Sequence, residues 1–515
     1  MIEGMQLDFD TCYQALQAHD ARFDGVFFVA VKSTKIYCRP ICPVKVPMSK
    51  NCTFYSTAAA AEQAGYRPCL RCRPELAPGN AKVDAVGRLA SIVAQHIEDG
   101  ALTEGSVATL AEELGISERH LRRVIQSEYG VSPLELAQTS RLLQAKRLLT
   151  DTNLPITEVA FISGFSSVRR FNSVFHDTYN LSPSQLRKGR RQAAPDQDFV
   201  EYTLGYRPPF AWKSILQFLA LRTAGGAELI DEDRYIRTVS TPKGKGWIEV
   251  FLTDPTKAAA ANLVGINPKQ TSSKSKRPAK HPKSKEYSVT VRISLSLARS
   301  MLPILRNVRQ LFDLDANPAV IAKHLGLLAE PRPGLRVPGA FDNFELIVRA
   351  ILGQQVSVKG ATTLMTRYVT EYGEKVETPF AGLSRITPSA ARIATVEPAD
   401  LATKIGIPLK RAETIVAVAK SVANRTLVLD QITDAQVVID KLQETPGIGP
   451  WTAQYVAMRA LRWPDAFPHG DLGLRKAMKE TNSVKLLAAS ESWRPWRAYA
   501  AMHLWHSLPA AAQGG

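Results

Sequence analysis

Cys38, Cys42, Cys69 and Cys72 are the side chains best suited to do chemistry: two close pairs, in CRPIC and CLRC, with no cysteine after Cys72 in a chain of 515 residues. Each short spacing sets two sulfurs on one turn, and two such pairs can surround one tetrahedral zinc. One compact metal site is therefore expected, not a disulfide framework. A thiolate is the nucleophilic form of cysteine, and a bound cation holds it deprotonated at neutral pH. The quartet is then either a structural staple or a source of reactive sulfur. Cys12 and Cys52 stand alone, fit no ligand spacing, and read as ordinary apolar or weakly polar residues.

A second cluster lies in TPGIGPWTAQYVAMRAL, where Gly447 and Gly449 bracket one apolar residue ahead of a helix. Backbone N–H groups of such a hairpin can grip a phosphate. The motif alone implies non-specific DNA binding. Asp471, downstream of the hairpin, follows a short loop and opens a helix; a lone acid is ordinarily solvated surface.

The chain must build several bodies to position these groups, since 515 residues exceed one compact core and three to five domains are expected. Hydrophobic content of 45% fits a soluble globular protein. No apolar run reaches the roughly 18 residues needed to span a bilayer. The acidic opening MIEGMQLDFD lacks the features of a secretory signal, so a reducing cytoplasm is expected, without a membrane partner. The formal charge of +17 favours a polyanion, without separating DNA from RNA or an anionic surface.

Four blocks follow from composition and periodicity. Residues 1–78 alternate short apolar strands with the cysteine loops. Residues 84–189 carry helical spacing, with a polar seam after them. Residues 198–297 are mixed and strand-rich. Residues 298–512 are helical, broken by Pro and Gly turns. Within the third block, 254–287 forms a basic low-complexity insertion in which eight Lys or Arg face two acids. It reads as a solvated hairpin insertion or as a tail adding phosphate affinity.

In the helical block two segments repeat one pattern: Ala111 stands four residues before Gly115, and Ala160 four before Gly164. A small residue lets two helices approach and the glycine takes the turn between them. Leu110, Leu114, Ile116, Leu121 and Ile125 would form one core, and Ile156, Val159, Phe165, Phe171 and Phe175 the other.

Three resemblances sharpen these readings. DGVFFVAVKSTKIYCRPICPVK with GYRPCLRCRPE resembles the N-terminal domain of the Ada-type DNA methylphosphotriester repair proteins. It implies one zinc on Cys38, Cys42, Cys69 and Cys72, no organic cofactor, and Cys38 as single-turnover methyl acceptor. It also implies DNA contacts at Thr34, Lys45 and Arg67, with Pro43 where relatives are often basic. The tandem pattern with GFSSVRRFNSVF resembles the AraC-type activator domain. That likeness implies recognition helices near Ser117–Gln126 and Ser166–His176 in successive major grooves, with Arg119, Arg122, Arg123, Arg169 and Arg170 able to contact DNA. From EYTLGYRPPFAW to SWRPWRAYAAMHLWH the chain resembles the helix-hairpin-helix DNA glycosylases of the AlkA type.

That last resemblance implies Asp471 as the catalytic carboxylate, Gly447 and Gly449 on phosphate, and Gln355 as the wedge filling the vacated stack. Phe218, Trp451, Tyr455 and Trp505 would form an aromatic base pocket attractive to cationic alkylated purines. Trp451 stands where bifunctional relatives carry a Schiff-base lysine, which implies hydrolysis without strand nicking. No cysteine is present in this half to hold an iron–sulfur cluster, and no PCHR string for alkylguanine transfer.

The expected fold is multidomain α+β: a small zinc-bound Ada-type domain, an all-α double helix-turn-helix AraC domain, an α+β AlkA N-terminal domain and an all-α helix-hairpin-helix glycosylase domain. The expected protein is a bacterial, nucleoid-associated alkylation-response factor. Its partners would be a specific promoter, alkylated double-stranded DNA and RNA polymerase. The alternative is a transcription regulator with structural zinc and a silent glycosylase fold.

Overall fold

The computed structural model describes residues 9–20, 23–24, 27–55, 58–69, 72, 89–90, 93–94, 96–97, 101–151, 154–187, 198–253, 287–429 and 435–508. The basic insertion lies outside the described residues except for Tyr287.

The first body is a four-stranded sheet in the order β3-β1-β2-β4, with β1 at Phe28–Val31, β2 at Ile36–Cys38, β3 at Cys52–Tyr55 and β4 at Arg67–Pro68. All four residues of β1 are buried, as expected for a central strand covered on both faces. It pairs antiparallel with β2 and β3, while β2 pairs parallel with β4. Cys12 and Cys52 are buried, as their reading as apolar residues requires, and Cys52 Sγ lies 3.5 Å from the Met48 carbonyl.

Two helical hairpins come next. The helices Val107–Glu113 and Glu118–Tyr129 form the first, and Ile156–Ile162 and Val168–Tyr179 the second, with the long helix Pro133–Asp151 between them. Ser117 Oγ accepts from the His120 N–H at 3.2 Å and Ser167 Oγ from the Arg170 N–H at 3.2 Å, capping the two second helices alike. The turns pass through Gly115 at φ +66° and Gly164 at φ +84°, where a side chain would be strained. Leu110, Leu121 and Ile125 are buried in the first hairpin, with Leu114 and Ile116 half-buried. Val159, Phe165, Phe171 and Phe175 are buried in the second, with Ile156 half-buried.

The two hairpins differ in what they pack against. The first closes a small core of its own with Val93, Ile97 and Leu102. The second merges into the large core that continues through Val200, Leu204 and Leu297 into the C-terminal half. Gln144 of the connecting helix donates to the Ala298 carbonyl at 3.4 Å, in a buried position.

The second sheet is antiparallel throughout, in the order β5-β9-β8-β7-β6: Phe199–Gly205, Ser288–Ser294, Gly244–Leu252, Arg234–Thr241 and Glu228–Asp231. A buried ionic cluster joins it to the helices behind. Arg237 meets Glu345 at 2.8 Å, Arg349 meets Glu228 at 2.8 Å, and the Tyr235 hydroxyl donates to Glu228 at 2.7 Å. Removing one partner would strand a buried charge, at a cost of roughly 3–5 kcal/mol. The remaining body is helical, from Met301–Leu311 to Arg497–Ser507. Among the described residues no helix is long and apolar enough to cross a membrane.

Candidate functional site

The parallel pairing of Tyr37 with Pro68 sets Cys38 and Cys69 at the same end of neighbouring strands. The Cys69 N–H donates to the Tyr37 carbonyl at 3.0 Å, and the Cys42 N–H closes a turn on the Arg39 carbonyl at 3.1 Å. All four sulfurs lie within 4.8 Å of one another, and all four residues are buried. A zinc–sulfur tetrahedron needs sulfurs about 3.8 Å apart, so the donor set fits that ion. Hydrogen bonding from Cys38 holds the Cys72 thiol down to about 6 against the opposing effect of burial. The same bond, together with burial, pushes Cys38 up. Four crowded thiols cannot all ionise without a cation to repay the repulsion.

Arg39 braces the cluster. Its N–H points at Cys72 Sγ at 3.4 Å, its Nη1 donates to the Cys72 carbonyl at 3.3 Å, and its Nε donates to Asp24 at 2.9 Å. Thr34, Lys45 and Arg67 are exposed on the rim, as is Pro43. The Arg67 N–H donates to the Lys35 carbonyl at 2.9 Å, which seats Arg67 beside the turn carrying Thr34. Lys32 and Lys35 are exposed in that turn too, two cations the motif reading passed over.

On the first hairpin's second helix Arg119, Arg122 and Arg123 are exposed. Glu118 accepts from Arg122 at 2.6 Å, and His120 pairs with Arg123 at 2.9 Å. Arg169 and Arg170 stand exposed at the start of the matching helix. Arg119 and Arg169 stand at the same relative position of the two hairpins, two residues after the serine caps, while Arg122 and Arg123 lie a turn further along the first helix.

The C-terminal cluster is built around Asp471, which caps the helix Leu472–Met478. Its Oδ1 accepts from the Leu474 N–H at 2.9 Å and from Trp505 Nε1 at 2.8 Å; its Oδ2 accepts from Trp451 Nε1 at 3.1 Å. Three N–H donors therefore fix a carboxylate that is only 8% exposed. The sequence-predicted aromatics converge here. Trp451 stacks on Tyr455 with centroids 5.5 Å apart, Tyr455 lies 6.3 Å from Trp505, and Trp505 lies 6.2 Å from Phe218.

The hairpin closes the same region. Gly447 adopts φ +92°, and a Cβ there would meet Thr414 Oγ1 at 2.3 Å, so the position accepts nothing larger. Gly449 caps the helix Pro450–Arg459. Gln354 Nε2 donates to the Gly447 carbonyl and to Thr452 Oγ1, both at 2.9 Å, tying the hairpin to the turn after Leu352. Gln355, next in that turn, is exposed at φ +57°. That is a strained backbone for a residue other than glycine, and it presents the side chain outward.

Two residues went unnoticed in the sequence. Arg222 stacks on Phe218 with its guanidinium 3.8 Å from the ring centroid. Arg459 donates to the Tyr455 hydroxyl at 2.7 Å. Each arginine stands four residues after an aromatic of this cluster, Phe218 and Tyr455 respectively. That repeated aromatic-to-arginine spacing was the available signal.

Four family models match the chain. "Metal binding domain of Ada" covers residues 11–75 and "Helix-turn-helix domain" 110–189. "AlkA N-terminal domain" covers 201–277 and 278–342, and "HhH-GPD superfamily base excision DNA repair protein" covers 348–495. The "Probable bifunctional transcriptional activator/DNA repair enzyme AlkA" of Mycobacterium tuberculosis is 37% identical over 522 residues, spanning 98% of this chain and 97% of the relative. "DNA-3-methyladenine glycosylase 2" of Escherichia coli is 31% identical over 59% of this chain and 97% of its own length. "Regulatory protein ada" of Salmonella typhimurium is 31% identical over 37% of this chain and 52% of its own length. With an Ada-like half and an AlkA-like half matched end to end by one relative, the chain belongs to the family of bifunctional transcriptional activator/DNA repair enzymes of the AlkA kind.

Proposed function

We propose that the protein senses and repairs alkylated DNA by two separate reactions. In the first, Cys38 accepts a methyl group from a DNA methylphosphotriester. Its sulfur bonds the methyl carbon, the carbon–oxygen bond breaks, and the electron pair returns to the phosphate as a phosphodiester. The thioether is stable, so the protein accepts one methyl only. Cys38, Cys42, Cys69 and Cys72 would hold one zinc, which when bound keeps the sulfurs anionic. Methylation removes one negative charge beside Thr34, Lys45 and Arg67, which eases approach to phosphate and strengthens DNA binding.

The helical block, assigned to 84–189 after a zinc module at 1–78, would read a promoter through Arg119, Arg122, Arg123, Arg169 and Arg170. There it would recruit RNA polymerase in the bacterial cytoplasm. In the second reaction, residues 198–297 and 298–512 would excise alkylated bases of the 3-methyladenine type. Gly447 and Gly449 bind phosphate and Gln355 fills the vacated stack. Phe218, Trp451, Tyr455 and Trp505 enclose the base, and Asp471 steadies the positive charge that develops on the sugar. Water completes a hydrolysis without nicking. The observation that carries this reading is the Asp471 carboxylate, fixed by two indole N–H groups at the aromatic cleft.

The test incubates the full chain with methylated DNA and measures both protein mass and released base. Methyl on Cys38 together with free 3-methyladenine is expected, and Asp471→Asn should lower base release by about a thousandfold or more while leaving methyl transfer intact. Base release that survives Asp471→Asn would refute the glycosylase assignment, and an unmodified Cys38 would reduce the cluster to a structural site.

A further inference from the structure

The helix Phe9–Ala18 precedes the first sheet, yet its buried residues serve three different interiors. Leu16 packs with the four cysteines of the quartet. Cys12 and Ala15 pack with Phe23 and Phe27. Ala18 belongs to the large interior of the C-terminal half, and the helix lies against Pro318–Leu325 of that half. Just past its end the chain turns: the Asp20 N–H donates to the Ala15 carbonyl at 3.2 Å and the Phe23 N–H to the Asp20 carbonyl at 3.1 Å.

That turn meets the C-terminal half at two tryptophans. The fully buried Phe23 has its ring 5.5 Å from that of Trp463, which packs both against the large interior and against the Phe23 group. Asp20 Oδ2 accepts from Nε1 of the fully buried Trp496 at 3.4 Å.

Neither tryptophan touches Asp471, but each adjoins a helix that holds it. The Trp463 N–H donates to the Ala457 carbonyl at 2.9 Å, in the last turn of Pro450–Arg459. Trp496 immediately precedes Arg497–Ser507. The Ala498 N–H donates to the Pro464 carbonyl at 2.9 Å, which joins the two places. The first of these helices carries Trp451 and the second Trp505, whose indoles both donate to the Asp471 carboxylate. A carboxylate held by donors on two helices is only as fixed as those helices are relative to each other. Close-packed interiors transmit strain, and a displacement of about 1 Å arising far from the reacting atoms can cost roughly a hundredfold in rate.

We propose that Asp20 and Phe23 are positioning residues for base excision: the turn after the first helix clamps Trp496 and Trp463, and so fixes the two indole donors on Asp471. The first body thereby lends the C-terminal half a clamp in addition to carrying the cysteine quartet. The clamp's grip, through Ala18, Asp20 and Phe23, uses no cysteine of the quartet.

This inference rests on the glycosylase reading above, and its test separates the two. Single-turnover excision from a 7-methylguanine duplex is measured for the full chain, with Phe23→Ala introduced alone and in a Trp505→Phe background. Alone, it should slow excision roughly tenfold, while affinity for an abasic duplex and methyl acceptance at Cys38 stay within about twofold. Phe23→Leu, which keeps an apolar side chain there, should recover most of the rate. In Trp505→Phe, which already lacks one of the two donors, Phe23→Ala should cost only about threefold or less, because the two changes act through the same carboxylate. An equal loss in both backgrounds, a parallel loss of abasic binding, or an unchanged rate overturns the positioning role. If Phe23→Ala does not fold, Asp20→Ala is carried through both backgrounds and decides by the same comparison. Failure of the unaltered protein to release the base overturns the glycosylase reading instead.

Discussion

The cysteine cluster and the Asp471 cluster hold their acidic groups by opposite means. Around Cys38 the polypeptide brings four sulfurs within 4.8 Å and sets against their repulsion backbone donors such as the Arg39 N–H on Cys72 and the Val44 N–H on Cys42. The missing charge must come from a bound cation. Around Asp471 the folded chain is sufficient, because two indoles and a helix N-terminus donate three hydrogen bonds to one carboxylate. The first arrangement suits a sulfur that reacts once and stays bound. The second suits a group that must be regenerated after every turnover. Loops on a small sheet are adequate for the one, whereas the other draws on side chains far apart in sequence.

The contrast is easiest to break by stripping metal from the full chain. Structural zinc sites contribute on the order of 10 kcal/mol to folding, so methyl acceptance at Cys38 should vanish and the first body should lose its hydrogen-exchange protection. Base release should stay within about twofold of its starting value if the centres are independent. A larger fall would mean that the packing of Phe23 on Trp463, with ring centroids 5.5 Å apart, transmits the state of one body to the other.

Trp505→Phe probes the cleft more gently, keeping a ring while deleting the 2.8 Å donor to Asp471. A hydrogen bond to a charged group is worth about 1.5–3 kcal/mol, so excision should slow by roughly ten- to a hundredfold, measured as single-turnover rate on a 7-methylguanine duplex. Methyl transfer should not change. Gly447→Ala should act mainly through structure. Positive φ and the Thr414 contact together predict a loss of about 1–3 kcal/mol, read as a lower melting temperature, with weaker binding to abasic DNA and unaltered zinc content.

Much of the cysteine site could be read in the sequence because its ligands come in local pairs, and local spacing survives without tertiary knowledge. The strands Phe28–Val31 and Gly244–Leu252 are legible in the sequence for the same reason, as apolar runs between turn residues. The strand Glu228–Asp231 escaped notice, since ELID is short, half-buried and half acidic, and pairing with Arg234–Thr241 supplies what its composition does not. The cleft was legible as a set of residues but not as an arrangement. Tyr455 and Phe218 fall on helices more than two hundred positions apart, and only packing places Arg222 and Arg459 around the same pair of rings. Nor does periodicity distinguish the two helical hairpins, because matching serine caps on their second helices and matching glycine turns give no hint that their apolar faces meet different neighbours.

That difference bears on what can be moved between proteins as a unit. Phe171 and Phe175 share their interior with Val200 and Leu297 of the repair half, while Leu121 and Ile125 belong to a separate interior. A recombination event that cut between the helix-turn-helix block and the enzyme would therefore split one oil-filled interior and leave both fragments with a raw apolar face. The second hairpin therefore travels with the enzyme, and the N-terminal body is tied to it as well, through Ala18 in the same interior and Phe23 on Trp463.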